Sequence, residues 1–414
     1  MGLSVKTGSF SSGTGAIDST VAVTGVGFQP KVVLLWTSAD TGASANDQSM
    51  SFGVGISSSS RRAISAYCNQ SSDPSVCKSR NNNALALLVV QGSTPTIVGT
   101  FDFTSQDADG FTLTVRTQFS ASITVFYLAL GGTDITNVGL ATVSQPATNI
   151  DFSDTTLGFK PDFLMIFSTI ATSDNSNTGN AVMCIGFTDG TNASLTAINS
   201  SDGAATSATG TYIRAAASQL EIYSNGSTGT GSPTQRSSFK SFDTNGFTLT
   251  SVETTASATL IYALGIKGGR WHAGSYATVT PAGNFSATDM TFTPTGLFVV
   301  GPKGTAQSTS DTAAANAKLS LGAADGTTQG TAAAAGNNGV AANNNYWNAL
   351  STNQLYKNLA GTTGADQEMG TFVSFNSNGW TGNAATTSGI NFGIYFGFAA
   401  NAAGAADRRV IMVS

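Results

Sequence analysis

The chain has 414 residues, of which 10% are charged, a formal net charge of −5 and 47 glycines; at roughly 100–200 residues per domain, that length excludes a single core. The negative balance, with Arg61–Arg62 and Arg408–Arg409 as isolated pairs, excludes a basic nucleic-acid-binding face. The longest apolar runs, such as Ala84–Val90 and Ile123–Leu130, fall short of the roughly 18 residues that cross a bilayer, so no membrane insertion is expected.

The amino-terminal MGLSVKTGSF lacks the continuous apolar core of a signal peptide, and Lys6 stands where a myristoylation motif has Ser or Thr. No secretion route is predicted. The Gly/Ser/Thr-rich stretch that follows carries Ile17, Val21 and Val23, which suggest a strand. It leads into GFQPKVVLLW, Gly27 to Trp36, a Phe-x-Pro turn feeding a strand. Proline fixes φ near −65° and biases its predecessor to extended backbone, and the apolar run after it suits a strand buried on both faces. Next come the strand SFGVGI, a polar excursion from Ser57 through Cys68 and Cys77 to Asn83 that reads as a surface loop, and the apolar ALALLVV. TFDFTSQDADGFTLTV then reads as a hairpin about Asp109–Gly110, and ITVFYLALGG as a closing strand.

The same order returns twice. GFKPDFLMIF, VMCIGF, FKSFDTNGFTLTS and TLIYALGIKGG form a second unit, and TFTPTGLFVV, KLSLGA, FVSFNSNGWTGN and INFGIYFGF a third. Landmarks recur at Gly55, Gly186 and Gly322, at Gly110, Gly246 and Gly379, and at Ala129, Ala263 and Gly397, with a period of about 134 residues. The predicted fold is therefore all-β, with three tandem antiparallel β-sandwich or small-barrel domains over 1–132, 133–269 and 270–400, and a C-terminal extension over 401–414. That extension ends DRRVIMVS, which suits either a strand added to a neighbouring chain or a closing strand of its own domain. The Ala-rich Thr312–Lys318 is the one helix candidate. Both a string of domains and a pseudo-threefold cluster fit the pattern.

Catalytic chemistry finds little to build on. The only histidine is His272, at the join of the second and third units, so neither a Ser-His-Asp arrangement nor a histidine-rich zinc site is expected. Glu221, Glu253 and Glu368 are the only glutamates, and no enzyme activity, metal or cofactor is predicted. Ser105-x-Asp107-x-Asp109-Gly110 and its counterparts at Ser241 and Ser374 place alternate oxygens before a glycine, as part of a calcium loop does, but they fit a hairpin turn better. Cys68 and Cys77 are a candidate disulfide closing a short loop, and Cys184, in VMCIGF, a buried free thiol. The loop around Asn344, Tyr346, Trp347 and Asn348 is a candidate glycan contact, since aromatic faces stack on sugar C–H surfaces and amides both donate to and accept from hydroxyls. The alternative is a strand whose aromatics pack inward.

A GF-x-P turn before an apolar strand, a DGF or NGF hairpin about 80 residues later and a closing strand such as FYLALGG resemble modules of tailed-bacteriophage virion proteins, including tail fibres and related surface proteins. The third unit departs by having Thr291 for the glycine and Trp380 for the phenylalanine. The resemblance implies a β-rich, non-enzymatic protein made in a host cytoplasm and displayed on the virion surface, as a tail-fibre or baseplate component or a capsid decoration. Its expected partners are other virion proteins, further copies of itself as a homo-oligomer such as a trimer, and a host-surface glycan. The rival expectation is a glycan-binding lectin or adhesin outside any virion.

Overall fold

The computed structural model describes residues 2–39, 47–70, 72–92, 94–146, 149–215, 219–223, 233–252, 258–301, 314–341, 345–360, 363–386 and 389–401. The secondary structure of these residues is all β, in antiparallel sheets, with one strand order used three times. In the first unit a large sheet runs Leu3–Ser11, Thr124–Gly132, Pro30–Thr37, Asp47–Ser57, Ser60–Asn69, Val76–Asn82, and a four-stranded sheet runs Thr20–Thr24, Gly110–Thr117, Thr96–Asp107, Leu87–Gln91. The second and third units repeat both orders. Each small sheet packs on one face of its large sheet, which makes a sandwich.

Strand pleating explains why the strand after each Phe-x-Pro turn is apolar on both faces. Side chains alternate, so Val33 and Leu35 point into the sandwich of the first unit while Val32, Leu34 and Trp36 point the other way. The same split divides Leu164 and Ile166 from Phe163, Met165 and Phe167, and Leu297 and Val299 from Phe298 and Val300. The second set from all three units forms one shared core. Aromatic pairs bridge every pair of units: Phe52–Phe167 at 5.2 Å, Phe187–Phe396 at 5.3 Å and Trp36–Phe298 at 5.4 Å. Contacts at these centroid separations add about 0.5–1.5 kcal/mol each beyond simple burial. The three large sheets thus face one another around a pseudo-threefold axis.

Edge strands close the ring. Asn177–Gly179 of the second unit pairs with Lys78 to Arg80 of the first, and Ala314–Ala315 of the third pairs with Gly210 and Thr211 of the second. Between the third and first units, Ser38 Oγ donates to the Ala349 carbonyl at 3.0 Å and Asn348 Nδ2 to the Asp47 carbonyl at 2.7 Å. The first and last described residues come together as well, at one end of the molecule, the terminal end, since Asn401 N donates to Asp134 Oδ2 at 2.7 Å and a Cβ on Gly2 would lie 2.8 Å from that of Ala400. Strand directions then place the turns after Ser57, Thr188 and Ala324 at this terminal end. The connections after Ser11, Asn69 and Gln91 lie at the opposite, far end.

Several readings need correction. The polar excursion from Ser57 to Asn83 is not a surface loop but two strands, because its small polar side chains pair across a seam: Ser79 Oγ donates to the Asn180 carbonyl at 2.7 Å and contacts that of Val182 at 3.1 Å. The helix candidate is strand over Ala314–Ala315 and Ala317–Ala324, with Ala317 buried in the shared core, and Thr312 and Ala313 lie outside the described residues. Two landmarks slip by two residues. Gly53, not Gly55, matches Gly186 and Gly322: a Cβ at these three positions would meet the carbonyls of Ala86, Leu220 and Leu355 at 1.8, 2.0 and 1.9 Å. Gly265, not Ala263, matches Ala129 and Gly397, as pairing with Leu164, Val33 and Leu297 shows. A slip of two keeps each side chain on its face, so the hydrophobic pattern alone does not reveal it. The landmarks Gly110, Gly246 and Gly379 stand, each under a backbone carbonyl about which a Cβ would have 1.9–2.0 Å. Gly27 and Gly158 need φ of 86° and 73°, whereas Thr291 has no positive φ, so the third Phe-x-Pro turn is built differently.

Candidate functional site

The proposed glycan quartet does not form one surface. Tyr346 and Asn348 are 0% and 1% exposed and turn towards the axis, Trp347 lies half-buried on the other face against Ala335, Ala349 and Leu359, and Asn344 lies outside the described residues. The inward-strand alternative therefore describes Tyr346 and Asn348. Register puts Tyr346 at the position of Cys77 and Thr209, opposite Gly336, Cys68 and Ser200 respectively. Cys68 and Cys77 face each other on adjacent strands, Cα–Cα 4.1 Å, with their sulfurs bonded, and Cys184 is a buried thiol outside any disulfide.

The calcium-like turns spend their oxygens internally. Asp107 accepts from Ser105 Oγ and Thr112 Oγ1, both at 2.7 Å, and Asp243 accepts from Ser241 and Thr248 at 2.7 and 2.6 Å. Asp109 accepts from Gly25 N and Gly27 N, which ties the hairpin to the Phe-x-Pro turn. Among the described residues no group of three His, Cys, Asp or Glu side chains is arranged to hold a metal ion.

His272 is a strand residue at the seam of the second and third units, with Nδ1 3.6 Å from Asp189 Oδ2 and Nε2 3.1 Å from Asp289 Oδ2. Burial works against the Asp289 carboxylate, but hydrogen bonds from His272 and Tyr395 outweigh it and hold the pKa below the usual value. The equivalent seam between the third and first units uses Lys6, 3.3 Å from Asp325, whose Oδ2 also accepts from Thr7 N at 3.0 Å. Glu368 is 0% exposed, which leaves a substrate no approach to it. Burial pushes its carboxyl up, partly offset by hydrogen bonds from Thr278, Asn391 and Asn358 and by the Lys318 charge. The Glu221 and Glu253 side chains lie outside the described residues.

The far end offers a more open arrangement. There, Ser72 to Val76, Lys78, Thr94 and Pro95 of the first unit and Asp202 and Gly203 of the second line a cleft of about 660 Å³. Its floor is tightly tied. Asp202 accepts from Cys77 N at 2.8 Å and pairs with Lys78, Ser75 Oγ donates to the Ser201 carbonyl at 2.7 Å, and Gly203 N donates to the Ser75 carbonyl at 2.7 Å. Asp73 and Thr94, on the rim, are exposed and make no hydrogen bond or ion pair among the described residues. Sequence reading missed this cleft because it took Asp73–Pro74 only as part of a cysteine-bounded loop, and Asp202 comes from 125 positions beyond Cys77.

No protein-family model matches the chain, and no curated protein matches its sequence. Among the described residues no helix is long and apolar enough to cross a membrane.

Proposed function

We propose that the protein is a non-enzymatic structural component displayed on a tailed-phage virion, as a fibre or baseplate component or a capsid decoration, that contributes to host-surface attachment. The observation that carries this reading is the single apolar core shared by three sandwiches of one strand order. It gives one chain the three-lobed outline that suits a threefold or pseudo-threefold position in a particle. The GF-x-P and DGF or NGF modules support the same reading through their resemblance to virion proteins, and the shared core explains why the chain needs no further copy to present three lobes. The partners on this reading are neighbouring virion proteins.

Immunogold electron microscopy with an antibody to the recombinant chain tests the proposal on particle fractions of the source culture. Gold at regular sites on heads or tails is the expected result, and its position separates decoration from fibre. Recovery of the antigen only in the soluble fraction would overturn the reading. A lectin or adhesin outside the virion would then take its place, and the far-end cleft is the observation that favours it.

A further inference from the structure

We propose that the far-end cleft between the first and second units binds a neutral or amino-bearing saccharide through Asp73, Thr94 and the Lys78–Asp202 pair. Its part in attachment rests on the function proposed above, whereas its chemistry stands on the cleft alone. The cleft, of about 660 Å³, is broad and open to solvent, so a ligand would lie across it with one face exposed, as a sugar chain can.

Three features select the ligand. The first is the mixture of groups: the carboxylates of Asp73 and Asp202 accept, the Lys78 ammonium donates, and the Ser72 and Thr94 hydroxyls do both, which matches the alternating donors and acceptors of adjacent sugar hydroxyls. The Pro74 and Pro95 rings and Val76 supply apolar walls for sugar C–H faces. The second is charge. Two carboxylates against one ammonium leave the lining negative, which disfavours acidic sugars and phosphates and favours an amino group. The third is that a peptide's usual mode of entry, adding a strand to a sheet edge, is closed here, because Asn177–Gly179 already pairs with Lys78 to Arg80.

Preorganisation adds to this. The floor residues are held by the bonds between Ser75, Asp202 and the second unit, and Asn177 Nδ2 reaches the Pro95 carbonyl at 3.4 Å, which ties the rim strand to the same seam. Asp73 and Thr94 line the opening beside this base, exposed to water that a ligand would displace. The cleft also lies at the end of the molecule away from Gly2 and Asn401, the first and last described residues.

Isothermal titration of the full chain with a glucosamine trisaccharide, maltotriose and trigalacturonic acid tests the assignment. The expected result is binding of one or both of the first two, none of the third, about a tenfold weaker affinity in Asp73→Asn, as loss of a charge-assisted hydrogen bond implies, and no binding in Thr94→Trp, which fills the opening. Both substitutions are at exposed positions, so thermal melting should match the unsubstituted chain. Absence of binding by both non-acidic probes, preference for the acidic one, or equal affinity in both variants would overturn the inference. Binding by a chain that immunogold never finds on particles would leave the saccharide site standing and sink only the virion reading.

Discussion

The Cys77 sulfur lies 3.6 Å from the Tyr346 hydroxyl, although 269 positions of chain separate them. The two occupy the same place in different units, Cys77 opposite Cys68 and Tyr346 opposite Gly336, so their contact marks the neighbourhood of the pseudo-threefold axis. Tyr346 is fully buried in the shared core, whereas its neighbour Trp347 is half-buried on the other face. Tyr346→Ala should therefore cost about 3–5 kcal/mol, as large-to-small changes in packed cores do, and Trp347→Ala less than half as much. Urea unfolding of the two variants checks this, and equal losses would contradict the inward orientation of Tyr346.

Glycine at position 53 permits a close approach of backbone that no side chain allows. A Cβ there would sit 1.8 Å from the Ala86 carbonyl, which belongs to main chain and has no rotamer to change, while one at Gly55 would meet the Phe103 ring, which can move. Gly53→Ala should lower stability by at least about 3 kcal/mol, at the upper end of overpacking costs, and more than Gly55→Ala. Chemical denaturation of both variants decides the order, and the reverse order would restore Gly55 as the equivalent of Gly186.

The acidic turns at the seams act mainly through backbone. Asp189 accepts from Ala273 N at 3.1 Å across the seam and from Thr191 N and Asn192 N within its own turn at 2.8 and 2.7 Å. Asp189→Ala would leave several donors without partners and should cost about 1–3 kcal/mol. Lys6→Met, which removes a partly exposed ion pair with Asp325 and a hydrogen bond to Thr328 Oγ1 but leaves the turn's backbone bonds in place, should cost about 1 kcal/mol. Unfolding midpoints of the two variants give the comparison.

Glu368 should make the third unit sensitive to rising pH. Its folded pKa lies above the ordinary 4.5 because of burial, so the folded state holds more protons than the unfolded one above that value. Stability contributed by the protonated acid is then lost as pH rises from 4.5 through the folded pKa. Glu368→Gln should remove this dependence and gain most over the unsubstituted chain above the folded pKa. Melting curves between pH 4 and 8 test it, and parallel profiles for the two proteins would show that the carboxyl does not titrate in this window.

The β-class, the tandem sandwiches and the two-faced strand after each Phe-x-Pro turn were legible in the sequence, because pleating and turn chemistry act locally. Gly110, Gly246 and Gly379 were legible for the same reason: each ends a tight hairpin. Gly53 was not, since SFGVGI offers two glycines on the same face and only the carbonyl of Ala86, brought over by the small sheet, distinguishes them. The strands flanking Cys68 and Cys77 were hidden by polar side chains that are buried only because a second unit supplies their partners. The cleft was hidden for a like reason, as Lys78 and Asp202 become neighbours only when two units dock.

One polypeptide winding round its own axis also frees the lobes from having to be alike. In an assembly of identical subunits every substitution appears three times, so a change useful at one lobe must be tolerable at the others. Here the position filled by Lys6 in one unit is Gly139 in the next and His272 in the third, as pairing with Ala129, Gly265 and Gly397 shows. Each lobe can therefore specialise separately, and a molecule with a threefold outline can present a different face to each of three neighbours.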